Sequence, residues 1–190
     1  EKDWIESLLD EVIRLARVVD SLTLLAKADA GILPFEKKPV AVDEIVREAF
    51  EDARELGQAR QLNVTLETPE KPVSVIGDRH RLRQMLLILI DNAVKYNRDG
   101  GSIRIALAAT ADAAEFRIWN SGGAISAETQ QTLFKRFSRG DNGAGQVEGC
   151  GLGLSIARSI VQAHGGEISV QPGSGDETVA LVRIPTRTGF

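Results

Sequence analysis

The chain has 190 residues, 43% of them apolar, and its 23 Lys and Arg against 27 Asp and Glu leave a formal charge of −4. This length suits one ordinary domain with an additional segment, and the acidic balance argues against a nucleic-acid partner. The longest aliphatic run, Met85 to Ile90, is too short to span a membrane, and the residues from Glu1 to Asp3 do not begin a signal peptide. One cysteine and two histidines speak against disulfides and structural zinc, which leaves a soluble globular protein of a reducing compartment.

Apolar residues recur at alternating intervals of three and four at the start of the chain. The series consists of Ile5, Leu8, Val12, Leu15, Val19, Leu22 and Ala26. This heptad pattern predicts a helix from about Asp3 to Asp29, which Gly31 ends and a proline-containing linker follows. We favour one helix of an intermolecular or truncated bundle, because the chain offers no second helix of similar pattern. An amphipathic helix packed on its own domain is the alternative.

The rest of the chain alternates between helical and strand patterns. Asp43 is predicted to cap a helix that runs to about Arg60, and Asp78 to open, as its cap, a second helix that runs through Ala93. A third helix of about a dozen residues is predicted after Gly151. Strands are predicted at 62–66, 73–76, 103–107, 116–120, 168–170 and 178–184. Together they predict an α+β fold, a two-layer sandwich of one mixed β-sheet with helices on one face, preceded by the N-terminal bundle helix.

The second of these helices ends in a group of polar side chains. Asn92, Lys95 and Tyr96 are three or four residues apart, so they project from neighbouring positions on one side of the helix. An amide oxygen, an ammonium group and an aromatic ring suit a metal ion, a phosphate chain and a flat base. Without further support, a solvated helix end is the simpler interpretation.

Two further segments add to this pattern. The glycine-rich run at 149–154 leads directly into a helix, where backbone N–H groups and the helix dipole favour an anion. It lacks the Gly-Lys-Ser/Thr of a Walker loop, and a ligand-free loop is the alternative. At the end of a predicted strand, Asn120 faces the same side as Phe116 and Ile118, and its amide can accept from an exocyclic amine. A plain turn explains that segment equally well when it is taken alone.

The order of these segments resembles the ATP-binding domain shared by sensor histidine kinases, DNA gyrase, mismatch-repair ATPases and the heat-shock chaperone ATPase. Within that superfamily the chain is most similar to a sensor histidine kinase, from about Pro39 to Pro185. The similar boxes lie at 84–97 (N box), 119–125 (G1 box), 133–139 (F box), 149–166 (G2 box) and 173–178 (last glycine box). The first helix resembles the second helix of the family's dimerisation and histidine-phosphotransfer domain. The resemblance thus implies domains at 1–32 and 40–190, joined by a linker at 33–39.

The resemblance implies ATP and Mg²⁺ as ligands. Asn92 would hold the metal ion, Lys95 would reach the phosphates and Tyr96 would line the adenine pocket. Asn120 would take the adenine-recognition position, and the segment 141–148 would form a mobile lid. The other nucleotide-binding positions implied are Gly122, Ile125, Arg136, Phe137, Arg139, Gly149, Gly151, Leu152, Gly153, Leu154 and Thr178.

Three positions depart from the family pattern. Asn120 replaces an aspartate, so the charge-assisted bond to the adenine amine is lost, although ATP binding should survive. Ala124 replaces the last glycine of the G1 box. Ile88 stands one turn before Asn92, where hydrolysing relatives place a glutamate that activates water. Because isoleucine cannot act as a base, efficient ATP hydrolysis is not expected.

The implied function is transfer of the ATP γ-phosphate to a histidine, for relay to a response regulator, by a homodimer. The sequence starts after the position of the family's phosphoacceptor, and His80 and His164 are both expected to be structural. Hence we expect ATP binding without autophosphorylation. The resemblance also implies a cytoplasmic domain of an inner-membrane sensor. The alternatives are a degenerate kinase that binds nucleotide and signals by conformation, and an anti-sigma-factor serine kinase, which the long first helix disfavours.

Overall fold

The computed structural model describes residues 2–138 and 150–186, and the chain divides into two compact units, residues 1–34 and 35–190. The first unit consists mainly of helix α1 (Lys2–Asp29), as the heptad pattern predicts. After α1, Gly31 adopts a left-handed φ of 69°. The Ile32 N–H then donates to the Lys27 carbonyl at 2.9 Å, which closes the helix end in a Schellman arrangement.

Helix α1 carries a long row of exposed apolar side chains. Its exposed large apolar residues are Trp4, Ile5, Leu8, Leu9, Val12, Ile13, Leu15, Val19 and Leu22. A continuous apolar surface of this kind is typical of a face that another protein covers. Helices long and apolar enough to cross a membrane are not found within 2–138 and 150–186.

The second unit is built around one mixed sheet. Its helices are α2 (Val42–Gln58), α3 (Arg79–Lys95), α4 (Ala127–Thr132) and α5 (Gly153–Ala163). Its strands are β1 (Lys38–Ala41), β2 (Asn63–Glu67), β3 (Ser74–Gly77), β4 (Ser102–Ala109), β5 (Ala113–Asn120), β6 (Glu167–Pro172) and β7 (Thr178–Pro185). The five-stranded sheet has the order β2-β4-β5-β7-β6, in which β2 and β4 are parallel and the other pairs are antiparallel.

Alternation along the strands gives the sheet one apolar face. Ile105 pairs with Ile118 across β4 and β5, and both side chains are buried. On the opposite face Arg104 pairs with Trp119, and the guanidinium carbon lies 4.1 Å from the indole ring centre. Helices α2, α3 and α5 cover the apolar face, because their own apolar stripes need burial. This arrangement confirms the predicted α+β fold.

Some elements differ from the prediction. The sequence patterns did not predict β1 and α4, and β3 pairs with β1 in a separate two-stranded sheet and not in the mixed sheet. Strand β1 begins at Lys38, within the segment 33–39 for which we predicted a linker. Strand β1 has four residues and helix α4 has six, so both are too short to show a clear periodic pattern.

The predicted cap of α2 at Asp43 is wrong. The helix already begins at Val42, and no side chain caps it at Ala41. The carboxylate of Asp43 instead accepts from Arg47 at 2.9 Å and from the Val73 backbone N–H at 3.4 Å. Asp43 therefore ties the first turn of α2 to the residue that precedes β3.

Candidate functional site

Helix α3 brings the end of the predicted N box to the end of β5. Its N-terminus is capped as predicted, because Oδ1 of Asp78 accepts from the Arg81 N–H at 3.0 Å. The apolar side chains facing the sheet are buried: Leu82, Met85, Leu86, Leu89, Ile90 and Ala93. The last turn of α3 and its C-cap then carry Asn92, Lys95 and Tyr96, beside the end of β5.

Asn92 faces the N-terminus of α5. Its Nδ2 donates to the Ile88 carbonyl at 2.9 Å, so Oδ1 is the atom available to a cation. A Cβ placed on Gly153 would lie 3.2 Å from Cγ2 of Ile88 and 3.9 Å from Nδ2 of Asn92. At the start of α5, Leu152 makes no side-chain cap hydrogen bond. The structure therefore brings the side-chain amide of Asn92 close to the first turn of α5, which the side chain of Leu152 does not cap. An amide oxygen beside a helix N-terminus fits a metal-bound phosphate.

Lys95 forms an ion pair with Asp91 on the same helix. Its Nζ lies 2.6 Å from Oδ2 of Asp91, one turn earlier, and both side chains are partly exposed. The resemblance implies that Lys95 reaches the nucleotide phosphates. A phosphate bound at that position would have to compete with Asp91 for the ammonium group.

Asn120 and Tyr96 meet between the end of β5 and the end of α3. Nδ2 of Asn120 donates to the Tyr96 carbonyl at 3.3 Å, and Asn120 is only 8% exposed. Because the amide nitrogen is used in this way, Oδ1 is the group of Asn120 that can accept from a ligand. A Cβ on Gly122 would overlap the Tyr96 carbonyl, so only glycine permits this close approach.

Thr178 fixes the turn that follows β5. It pairs with Asn120 across β5 and β7, and its Oγ1 donates to the Gly123 carbonyl at 2.8 Å. The side chain of Ile125 is half-buried further along the same turn. Thr178 thus supports the predicted adenine-recognition position from the neighbouring strand.

The F box and the glycine segment lie against each other. Phe137 has a left-handed φ of 58° and is 61% exposed, and Gly151 has a φ of 68°. A Cβ on Gly151 would lie 2.8 Å from the Ser138 carbonyl oxygen. Leu152 is fully buried and Leu154 half-buried at the start of α5, whereas Arg136 is exposed. The predicted residues Arg139 and Gly149, and the predicted lid at 141–148, lie outside the described residues.

A buried polar network that the sequence reasoning missed closes the end of α3. Oδ1 of Asn97 accepts from Oγ of Ser121 at 3.0 Å, and Nδ2 of Asn97 donates to the Ser102 carbonyl at 3.0 Å. Oγ of Ser121 in turn accepts from the Ser102 N–H at 2.8 Å. Asn97 and Ser121 lie inside the predicted N and G1 boxes, but Ser121 is 19 and 24 residues from its two partners, and no local pattern assigns these side chains a role.

His164 joins the far ends of the two helices of the site. Its Nδ1 lies 2.7 Å from the Ile160 carbonyl, while Nε2 accepts from the Asp78 N–H at 3.1 Å. Burial lowers the pKa of His164, an effect that a hydrogen bond to Ile160 and the charge of Asp78 partly offset. The side chain is therefore neutral and structural, as expected, and His80 is exposed beside the cap of α3.

Comparisons with known proteins show what the chain is similar to. Residues 77–188 match the family described as histidine kinase-, DNA gyrase B- and HSP90-like ATPase. The chain is 36% identical, over 85% of its length, to the signal transduction histidine-protein kinase ArlS of Staphylococcus haemolyticus, and covers 36% of that protein. It is also similar to the solved structure of the mycobacterial sensor histidine kinase MprB, with 27% identity and a TM-score of 0.71. That match covers 80% of this chain and 100% of the MprB chain.

A full-length ShkA crystal structure in complex with AMPPNP shares the fold, with a TM-score of 0.85 and 21% identity over the whole of this chain and 39% of that one. The chain belongs to the histidine kinase-, DNA gyrase B- and HSP90-like ATPase family. Three of the curated relatives it matches, ArlS, TcrY and BaeS, are named as signal transduction or sensor histidine kinases. It spans little more than a third of the length of the first curated relatives it matches.

Proposed function

We propose that this chain is the ATP-binding catalytic part of a sensor histidine kinase. The observation that carries the proposal is the approach of Gly153 to Asn92, which puts the N-terminus of α5 beside an α3 side-chain amide whose Nδ2 is already bound to the Ile88 carbonyl. A helix N-terminus stabilises phosphate, and an oxygen ligand suits Mg²⁺.

The last turn of α3 supplies the proposed phosphate and metal contacts. Asn92 would hold Mg²⁺ through Oδ1, and Lys95 would exchange its bond with Asp91 for one with a phosphate oxygen. The metal ion would neutralise negative charge on the bridged phosphates. Arg136, Arg139 and the glycines at 149, 151 and 153 would surround the polyphosphate chain.

The end of β5 supplies the proposed adenine contacts. Oδ1 of Asn120 would accept from the exocyclic amine of adenine, while Tyr96 would line the pocket. The further residues proposed to contact the nucleotide or shape its pocket are Gly122, Ile125, Phe137, Leu152, Leu154 and Thr178. Thr178 and Gly122 act here by fixing the turn and the backbone approach, which supports the adenine position without a bond to the base.

The proposed reaction moves the γ-phosphoryl group to a histidine imidazole. The bond between the terminal phosphorus and the β–γ bridging oxygen breaks, a bond to an imidazole nitrogen forms, and ADP leaves. This chemistry depends on positioning and charge neutralisation. The acceptor would be a histidine other than the buried His164 or the exposed His80, and the phosphoryl group would pass on to a response regulator.

We further propose that α1 pairs with a second copy in the parent protein. Its exposed apolar row supplies the surface that a homodimeric helix bundle buries. The domain would work in the cytoplasm, where ATP and response regulators occur, attached to an inner-membrane sensor. Replacing Leu8 and Leu15 by glutamate should abolish self-association in sedimentation measurements on the parent protein.

Nucleotide binding is tested first with Mg²⁺ and AMP-PNP by calorimetry. The wild type should bind, Asn92→Ala should lose the Mg²⁺-dependent part of the affinity, and Asn63→Ala, at an exposed position on β2, should behave as wild type. Equal binding by Asn92→Ala would contradict the assigned role.

Catalysis is tested with [γ-³²P]ATP and a separate helical fragment that carries a phosphoacceptor histidine. Acid-labile, base-stable label on the fragment supports the kinase. A degenerate kinase that signals by conformation is the second candidate, because Asn120, Ala124 and Ile88 depart from the family pattern. Tight AMP-PNP binding without label transfer would favour it.

A further inference from the structure

Arg60 lies in the turn after α2, outside every sequence box that the resemblance covers, yet its side chain reaches the end of α3. Its Nη1 donates to the Val94 carbonyl at 2.5 Å and to the Lys95 carbonyl at 3.2 Å. Its Nη2 donates to the Asn97 carbonyl at 2.7 Å. One guanidinium group therefore holds carbonyls on both sides of the point where α3 ends.

The carbonyls of Val94 and Lys95 belong to the last turn of α3, and that of Asn97 follows the helix. The Val94 carbonyl also accepts from the Asn97 N–H, at 3.3 Å. The last four carbonyls of an α-helix have no N–H four residues later to bind, and a cation near them also complements the helix dipole. The planar guanidinium presents several N–H groups in fixed directions, so it can bind Val94, Lys95 and Asn97 together. The backbone of Arg60 adds a further tie, because its carbonyl accepts from the Gly100 N–H at 3.0 Å.

The segment that Arg60 holds is the one that carries the proposed nucleotide contacts. Asn92 and Lys95 lie in the last turn of α3, and Tyr96 is its C-cap. On the opposite side, Asn120 binds the Tyr96 carbonyl and Ser121 binds the Asn97 side chain. The end of α3 is thus fixed between the turn after α2 on one side and the end of β5 on the other.

We infer that Arg60 is a positioning residue for nucleotide binding, an inference that rests on the proposed function. It acts through the backbone of Val94, Lys95 and Asn97, and it sets where the side chains of the last turn point. Without it, the turn can fray, and a nucleotide has to order the turn again on binding. That ordering cost reduces affinity even in fully folded protein.

The ion pair of Arg60 with Asp99 offers a matched control. Nε of Arg60 lies 2.8 Å from Oδ1 of Asp99, but the Asp99 side chain is 82% exposed. Asp99→Asn removes the charge pair and leaves the three carbonyl contacts in place. An exposed pair of this kind contributes little, so this variant separates the charge of Arg60 from its carbonyl bonds.

The experiment measures the affinity for Mg²⁺ and AMP-PNP by calorimetry, with the folded fraction of each variant fixed by urea unfolding. Arg60→Met should bind about tenfold more weakly, the equivalent of one lost charged hydrogen bond. Asp99→Asn should remain within about twofold of wild type. Arg60→Lys keeps the charge but not the planar guanidinium, so its affinity should lie between those of Arg60→Met and Asp99→Asn. It replaces Arg60→Met in the comparison if that variant folds poorly. The amide signals of Tyr96 and Asn97 should shift in the NMR spectrum of Arg60→Met before nucleotide is added.

Chemical rescue separates positioning from stability. Millimolar guanidinium chloride should restore part of the affinity of Arg60→Ala, and an equal concentration of sodium chloride should not. If folded Arg60→Met and Arg60→Lys bind as tightly as wild type, Arg60 is only structural. The inference about Arg60 is then wrong, while the proposed function is unaffected. If wild type itself does not bind, the proposed function fails and the inference falls with it.

Discussion

The side-chain amide of Asn120 is oriented by the carbonyl of Tyr96, which accepts from Nδ2 at 3.3 Å. Turning the amide over would place two oxygens against each other, so Oδ1 stays on the side away from Tyr96. The position at which the family resemblance implies an aspartate therefore still offers an acceptor. An acceptor matches the amine of adenine and repels the carbonyl oxygen of guanine.

Asn120→Ala should therefore weaken adenine nucleotides selectively. Loss of one neutral hydrogen bond costs about 1 kcal/mol, a factor of about five in affinity. The affinity for ATP should fall by that factor while the weaker affinity for GTP stays constant. The ratio of the ATP affinity to the GTP affinity should therefore decrease about fivefold. Competition against a fluorescent nucleotide measures both affinities. An unchanged ratio would contradict the assignment of Asn120 to the base.

Gly122→Ala should disrupt the site through the backbone. The added Cβ overlaps the Tyr96 carbonyl, so β5 and α3 must move apart, and we expect a loss of about 3 kcal/mol or more in the free energy of unfolding. Gly100→Ala is the control, because Gly100 has a φ of 67° and no atom within 4 Å of an added Cβ. It should lose only about 1 kcal/mol of backbone strain. Urea unfolding compares the two, and equal losses would refute the close approach.

Asp91→Asn should raise the affinity for ATP at low salt. The substitution releases Lys95 from its 2.6 Å ion pair and removes a negative charge from the proposed phosphate site. Because both side chains are partly exposed, the gain should be about two- to fivefold and should shrink as salt increases. Adenosine, which has no phosphates, should bind both proteins equally. A similar gain for adenosine would place Lys95 away from the phosphates.

His164 should make the unfolding free energy depend on pH. Burial lowers its pKa in the folded protein below the ordinary value of 6.5, so the unfolded chain binds the proton more readily. Stability contributed by neutral His164 is therefore present above pH 6.5 and declines as the pH falls below it. Protonation of Nε2 would also break its bond to the Asp78 N–H.

The measurement compares urea unfolding across this pH range in wild type, His164→Gln and His80→Gln. His164→Gln should be less stable at neutral pH and should show a flatter pH dependence below 6.5. His80→Gln, at an exposed position, should keep the slope of wild type. If His164→Gln keeps that slope as well, another group is responsible for it.

Local patterns in the sequence predicted most of the secondary structure. Apolar spacing located α1, α3 and α5, and strand alternation placed Asn120 on the same face as Ile118, next to the apolar core. The heptad series gave the extent of α1 to within a residue, because every turn of that helix repeats the same signal. Asp78 capped α3 as predicted because a cap involves only residues three apart.

Short elements and long-range partners escaped this reasoning. Strand β1 is too short for alternation to identify, and its partner β3 could be assigned only from the fold. Asp43 is a residue type that often caps helices, but its carboxylate accepts from the Val73 N–H, thirty positions along the chain. Arg60 gave no local signal, since its carbonyl partners lie 34 to 37 residues away.

The order and spacing of residues by themselves determined the fold class, the helix that carries Asn92, Lys95 and Tyr96, and the family resemblance. Those properties follow from periodicity and short-range bonding, which a linear pattern records. Only the tertiary structure decided that Gly153 faces Asn92, that Tyr96 orients the amide of Asn120 and that Arg60 holds the end of α3. Each of these depends on the distance between segments far apart in the chain, and that distance is set by how helices pack on the sheet.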